Sequence, residues 1–214
     1  MKQLEFLHII SAILILTVAA GFSLIVKSEL EKLAQVFLFS IIIIIISVLA
    51  KKIISYSLDA DVEHEIWQMQ NFGLTKNFQT KKPIPIGAIF PLLLSVLSLG
   101  IIKFSAILTY ETRALKYRAS KRFGPFSYTE MTDCHNAIIG ASSTVALLIL
   151  SIIAYLLPGT NLEYLAKLSI YYVFWNLLPI SKLDGIQVLI GSRILWSVLF
   201  TITIIFLFFA LTII

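Results

Sequence analysis

The residues of this chain best placed to do chemistry lie in one run, Asn176-Leu177-Leu178-Pro179-Ile180-Ser181-Lys182-Leu183-Asp184-Gly185. Asp184 sits inside an otherwise apolar segment, and ionisable groups at membrane depth face a bundle interior and mark function. Pro179 removes a backbone donor and crowds the preceding turn, so the helix must kink or unwind just before Asp184. The freed backbone groups need protein partners or a cavity to line. The run reads as a broken helix that presents one carboxylate to its neighbours.

A second candidate is Glu63-His64-Glu65-Ile66-Trp67-Gln68, a His-Glu pair with glutamine where a second histidine would complete HExxH. On a helix, His64 and Gln68 would share a face. His135 would add an imidazole, Asp184 a carboxylate, and Glu65 a base. Glutamine is a poor zinc ligand, and a bilayer core would not accept the stretch Asp59, Asp61, Glu63, Glu65. The plainer reading is a solvated or interfacial helix start, ~20 Å beyond Lys51 if the preceding helix continues straight. Trp67 and Phe72 would then anchor at head-group level. His8 reads as a polar contact in the first helix. Cys134, the one cysteine, reads as part of a capping region, with Asp133 or Thr132 as the cap of the following helix. Ser142, Ser143 and Thr144 read as small groups for close packing and interhelical hydrogen bonds rather than as nucleophiles.

The elements that must position these groups are membrane helices. The 214 residues are 58% hydrophobic, with mean hydropathy +0.93, which excludes an ordinary soluble domain. A single cysteine excludes an internal disulfide and a four-cysteine zinc cage. The net charge of +5 reads as topology information, and nucleic acid is not an expected partner. Residues 6–26 are nearer to a full span than to a signal core, so an uncleaved first helix is expected. Further spans are expected from Leu33 toward Leu58, at 137–157, at 168–190 and at 194–214. The stretch 84–108 is apolar but holds Pro85, Gly87, Pro91, Gly100 and Lys103, which suits a re-entrant segment. If it does not cross and the N-terminus is cytoplasmic, residues 59–136 are cytoplasmic. Lys76, Lys81, Lys82, Arg113, Lys116, Arg118, Lys121 and Arg122 then lie inside, and only Lys27, Lys32 and Lys167 lie outside. Residues 110–123 read as an amphipathic interfacial helix. The expectation is one all-α polytopic membrane domain over 1–214, with five to six transmembrane helices, in the plasma membrane of a prokaryote.

The run Asn-Leu-Leu-Pro-x-x-x-Leu-Asp-Gly at 176–185 resembles the second signature of the site-2 protease family, the intramembrane zinc metalloproteases. His135-Asn136-Ala137-Ile138-Ile139-Gly140 resembles the family's glycine-containing helix between its two signatures, and the order of parts over 33–190 is similar. The resemblance implies that Asp184 occupies the position of the third zinc ligand. The other two would be histidines of HExxH on an earlier helix, whose glutamate activates the water. Such a site has three protein ligands and one open position, and the metal lowers the pKa of its water toward ~7.

The first signature is sought near the end of the second apolar helix, at Ser47-Val48-Leu49-Ala50-Lys51-Lys52. In that register Ser47 stands for the first histidine, Val48 for the glutamate and Lys51 for the second histidine. One carboxylate does not hold zinc tightly. The expected outcome is a degenerate site in which Lys51 neutralises Asp184 across the helix pair.

Three functions follow as expectations. The first is a non-catalytic, site-2-protease-like protein that needs no cofactor and binds or presents a partner's transmembrane helix at a groove of Asn176, Pro179 and Gly185, with membrane lipids around it. The alternative is an active intramembrane zinc metalloendopeptidase with relocated ligands His64, His135 and Asp184 and base Glu65. The third, a transporter or channel, lacks a visible inverted repeat.

Overall fold

The computed structural model describes residues 3–69, 84–115, 131–157 and 162–212. The expected basic clusters at 76–82 and 116–122, and Phe72, lie outside the described residues. The chain is a mostly helical membrane protein. Helices α1 (Gln3–Val26), α2 (Leu30–Ser57), α4 (Asp133–Leu156) and α7 (Arg193–Thr212) are long and apolar enough to cross a bilayer. Between them lie α3 (Ile86–Leu97), α5 (Glu163–Leu177) and α6 (Asp184–Gly191). Central α4 packs on α2, α5, α6 and α7.

The helices turn apolar side chains outward and bury polar ones beside the apolar core. On α2, Ile45, Leu49 and Ile53 face outward, while Ser40, Ser47, Lys51 and Ser55 are buried along one stripe. The outward faces suit hydrocarbon, and small and polar groups add interhelical hydrogen bonds to the apolar core. Ser95 on α3 donates to the Ala19 carbonyl of α1 at 3.2 Å, and Ser151 on α4 to Ala166 of α5 at 3.2 Å.

The helix of the Asp184 run is broken, as the proline requires. α5 ends at Leu177, and Leu178 is extended (φ −63°, ψ 136°), the conformation that a following proline imposes. Ser181 turns the chain at φ 51°, and α6 restarts at Asp184. The expected span over 168–190 is therefore two shorter helices. Gly185 permits the restart, because a Cβ there would run into the backbone carbonyl of Leu177.

Two segments depart from the helical expectation. β1 (Ala60–Ile66) and β2 (Leu108–Ala114) form a two-stranded antiparallel ribbon, with His64 opposite Tyr110 and Glu63 opposite Glu111. The acidic stretch is a strand and not a helix start. Asp59 takes φ 56° and ends α2, so the chain folds back beside that helix instead of running on ~20 Å. The expected interfacial helix over 110–123 begins as strand β2, and its residues from 116 to 123 lie outside the described ones. Alternation decides both cases: Ala60, Val62 and His64 are buried, and Asp61, Glu63 and Glu65 point the other way.

Residues 84–108 leave and rejoin the ribbon at one place. Ile84 pairs with Met69, the Gly87 amide donates to Trp67 O at 2.9 Å, and the Trp67 amide donates to Ile107 O at 2.8 Å. Between these ties, α3 packs along α1. The chain turns at Gly100 (φ 81°), against Ser23 of α1, and returns without regular structure. Both ends of the segment are thus on the ribbon side.

Gly185→Ala is expected to lower stability by about 1–3 kcal/mol, since the Leu177 backbone cannot yield as a side chain would. Thermal unfolding in detergent measures it; an unchanged midpoint would mean that α6 does not start against the end of α5.

Candidate functional site: a buried lysine–aspartate pair

Lys51 and Asp184 meet in the interior. Lys51 lies on the buried stripe of α2, one turn after Ser47, and Asp184 is the first residue of α6. The break delivers the carboxylate to the helix start, where the helix dipole favours a negative charge. Lys51 Nζ is 2.7 Å from Asp184 Oδ2, and both side chains are 2% exposed. Ser143 of α4 places its hydroxyl 3.2 Å from the same oxygen and 3.0 Å from the Gly140 carbonyl. Its single proton serves one of these acceptors at a time. Asp184 Oδ1 has no hydrogen-bond partner among the described residues.

The ribbon closes the site. The Tyr110 ring lies 4.6 Å from Lys51 Nζ, within cation–π range. Its hydroxyl donates to the Asn136 carbonyl at 2.7 Å. Burial and the neighbouring Asp184 charge push this phenol well above its ordinary pKa, so it stays a neutral donor. Gly140 makes room for it, because a Cβ at 140 would stand 2.6 Å from the Tyr110 hydroxyl. Ser47 is buried on the same stripe of α2 as Lys51. Val48 is buried in the apolar core.

A second charged cluster adjoins the first. Glu5 of α1 is 2.7 Å from Lys52 Nζ and 3.1 Å from His64 Nδ1. His8 Nδ1 lies 3.4 Å from the His64 carbonyl. Consecutive lysines on α2 are thus claimed by different partners, Lys51 by α6 and Lys52 by α1. His64 is not solvated: burial holds its pKa below the ordinary value, opposed by Glu5 and aided by Lys51 and Lys52. Trp67 is also buried, packed among Phe104, Ala106 and Leu183 instead of anchoring at a surface.

The relocated ligands are not gathered. His64 places Nδ1 against Glu5. His135 sits in the first turn of α4, where its amide is capped by the Thr132 hydroxyl at 3.2 Å. It precedes Ser143, the α4 contact of Asp184, by about 12 Å of helix. Glu65 is on the outer face of the ribbon. No group of three His, Cys, Asp or Glu among the described residues is placed to hold a metal ion. The residues at the resembling register do not fit zinc either: Ser47, Val48 and Lys51 supply no imidazole and no carboxylate, and the Lys51 ammonium lies against Asp184 Oδ2. Of the groove candidates, Asn176 is buried and donates to its own helix at Tyr172 O, 2.8 Å, and to Ser105 O, 3.5 Å. Gly185 is packed against α5, and Pro179 is exposed. Tyr110, Glu5 and Tyr172 escaped the sequence reading. The alternation of Leu108-Thr109-Tyr110-Glu111 was the available signal for the first; Glu5 and Tyr172 had none.

Compared with protein-family models, curated proteins and solved structures, the chain matches none.

Lys51→Ala and Asp184→Ala are each expected to cost about 3–5 kcal/mol, because each strands a buried charge. The double variant should recover most of that loss in detergent unfolding, and strictly additive losses would refute direct pairing. His64 gives a pH signature. Its depressed pKa means that the unfolded chain takes up the proton first, so stability is full above the ordinary value of about 6.5 and falls below it. Between about pH 7.5 and about pH 5.5, the unfolding midpoint of the natural chain should drop more than that of His64→Asn. Equal drops would remove His64 as the titrating group.

Proposed function

We propose that the chain is a site-2-protease-like membrane protein whose metal position is held by the Lys51–Asp184 pair, and that it binds a partner's transmembrane helix without cleaving it. The observation that carries this reading is the 2.7 Å contact between Lys51 and Asp184, at the two positions where the resemblance puts a histidine and an aspartate ligand. The lengths are compatible with the substitution. A lysine arm is about 2 Å longer than a histidine measured to its terminal nitrogen. A zinc ion between imidazole and carboxylate adds two bonds of about 2 Å, against the single contact here. Lysine thus bridges nearly the gap that imidazole plus metal would bridge.

In this reading the N-terminus and the ribbon are cytoplasmic, and α1, α2, α4 and α7 cross. The α5–α6 pair forms a fifth, broken crossing, while 84–108 re-enters from the ribbon side. The partner surface lies at the break and the outer face of the ribbon. Glu65, Gln68, Thr109, Glu111, Ser181 and Lys182 contribute to a cavity of about 290 Å³ there. Such a polar cleft can hold the chain that flanks a partner helix. Asn176 and Gly185, packed inside, support the cleft instead of lining it.

Restoring the ligands tests the register. Ser47→His/Lys51→His should bind stoichiometric zinc with Asp184, read by metal analysis of the purified protein, and adding Asp184→Ala should abolish it. A double variant that folds and binds no zinc would place the lost signature elsewhere. Crosslinking in native membranes tests the binding role; recovery of no membrane partner would count against it.

A further inference from the structure

The three least exposed lysines with described partners are not treated alike. Lys51 has Asp184 at 2.7 Å and Lys52 has Glu5 at 2.7 Å. Lys103, half-buried in the return of the 84–108 segment, has no carboxylate within ion-pair distance among the described residues. Its ammonium instead donates to the Tyr164 hydroxyl at 3.1 Å and lies 4.5 Å from the centre of that ring. The neighbouring charge is Lys167, of the same sign, which repels it. Glu163, one turn before Lys167, is exposed and makes no ion pair with either amine among the described residues.

The location is the end of the bundle opposite the ribbon. Tyr164 is in the first turn of α5 and donates to the Ala20 carbonyl of α1 at 2.9 Å. Ala20 is six residues short of the end of α1 at Val26, about 9 Å along the axis. Toward the end of a membrane helix a lysine ordinarily stretches out to water. Lys103 is folded over an aromatic ring instead. Beside the same tyrosine opens a cavity of about 240 Å³, lined by Leu24, Lys32, Gln35, Val36, Phe39 and Tyr164. Its walls are largely apolar, with a third lysine on the rim. An amine pair without an anion among the described residues, next to a largely apolar slot, matches a molecule that carries a phosphate on an acyl chain.

We propose that Lys103 and Lys167, set by Tyr164, bind the phosphate of an anionic glycerophospholipid in the leaflet opposite the ribbon, with an acyl chain entering the Leu24–Phe39 slot. The lipid supplies the counter-charge that the two lysines at the other end receive from Asp184 and Glu5. This site stands apart from the Lys51–Asp184 centre and does not depend on the function proposed for it.

Native mass spectrometry of the full chain, titrated with phosphatidylglycerol or phosphatidylcholine, tests the proposal. Phosphatidylglycerol should be retained preferentially. Lys103→Gln, which keeps a donor for Tyr164 but removes the charge, should lower its affinity about fivefold, and Lys103→Gln/Lys167→Gln about twenty-five-fold, at roughly 1 kcal/mol per lysine. Binding of phosphatidylcholine should not change. Equal retention of the two lipids by the natural chain would overturn the proposal. So would displacement of phosphatidylglycerol by inorganic phosphate, which would mark a free-anion site. If Lys103→Gln lost both lipids through misfolding, Lys103→Arg would decide: a preserved phosphatidylglycerol preference supports the site, and its loss overturns it.

Discussion

The structure depends on one contact, an ammonium against a carboxylate with neither in water. Lys51 sits at the inner end of α2, and Asp184 at the start of α6, separated from α5 by the Pro179 break. Left alone, either charge would be intolerable at that depth. Together they tie the second helix to the broken one, and the break exists so that the carboxylate can begin a helix. Ser143 and Tyr110 complete the surround with a hydroxyl and a ring face. Apolar residues could hold two helices together at least as firmly. What the pair adds is register: Asp184 meets the Lys51 amine, while the adjacent Lys52 amine is turned to Glu5 of α1.

The ribbon follows from this centre. Its inner face brings His64 and Tyr110, directly opposite each other, against the two adjacent lysines of α2. Tyr110 covers Lys51, and His64 joins Glu5 on Lys52. Consecutive residues on a helix point about 100° apart, so Lys51 and Lys52 address different helices. The ribbon spans the gap between them and thereby fixes α1 relative to α6, although those helices are far apart in sequence.

Much of this was legible, and for local reasons. The four long apolar runs and the break before Asp184 follow from composition and from proline sterics; the amine opposite it comes from the register that the family resemblance implies, together with the scarcity of charges inside a membrane. Charges in apolar helices have few partners to choose from. The ribbon was less visible. Ala60-Asp61-Val62-Glu63-His64-Glu65-Ile66 alternates strictly, as a half-buried strand does, but its acid content suggested a solvated helix start. Its pairing strand lies beyond the whole 84–108 excursion, so no local signal announces the match. Glu5 was invisible for a related reason: a carboxylate near a helix start reads as ordinary dipole complementarity until a histidine from a distant strand is placed beside it.

The choice of lysine has a chemical consequence under the proposed reading. A metal between two helices holds them with directional bonds and keeps one position open for water and substrate. An ammonium holds the same carboxylate at a similar span but leaves no open coordination position, and it offers no base. Val48, where the resemblance would put that base, is packed into the apolar core. The exchange therefore removes reactivity while retaining the mechanical tie, and it makes that tie independent of metal supply. Neighbouring features agree with a centre kept for its architecture. Ser47 is buried, Asn176 satisfies carbonyls of α5 and of the return segment, and Gly185 allows α6 to begin against Leu177. These groups are turned inward onto the protein. A polar cleft lies outside them, between the exposed break and the outer face of the ribbon, and under the proposed reading it is the place for a partner. A scaffold arranged in this way can engage a helix at its surface without exposing it to a water-activating centre.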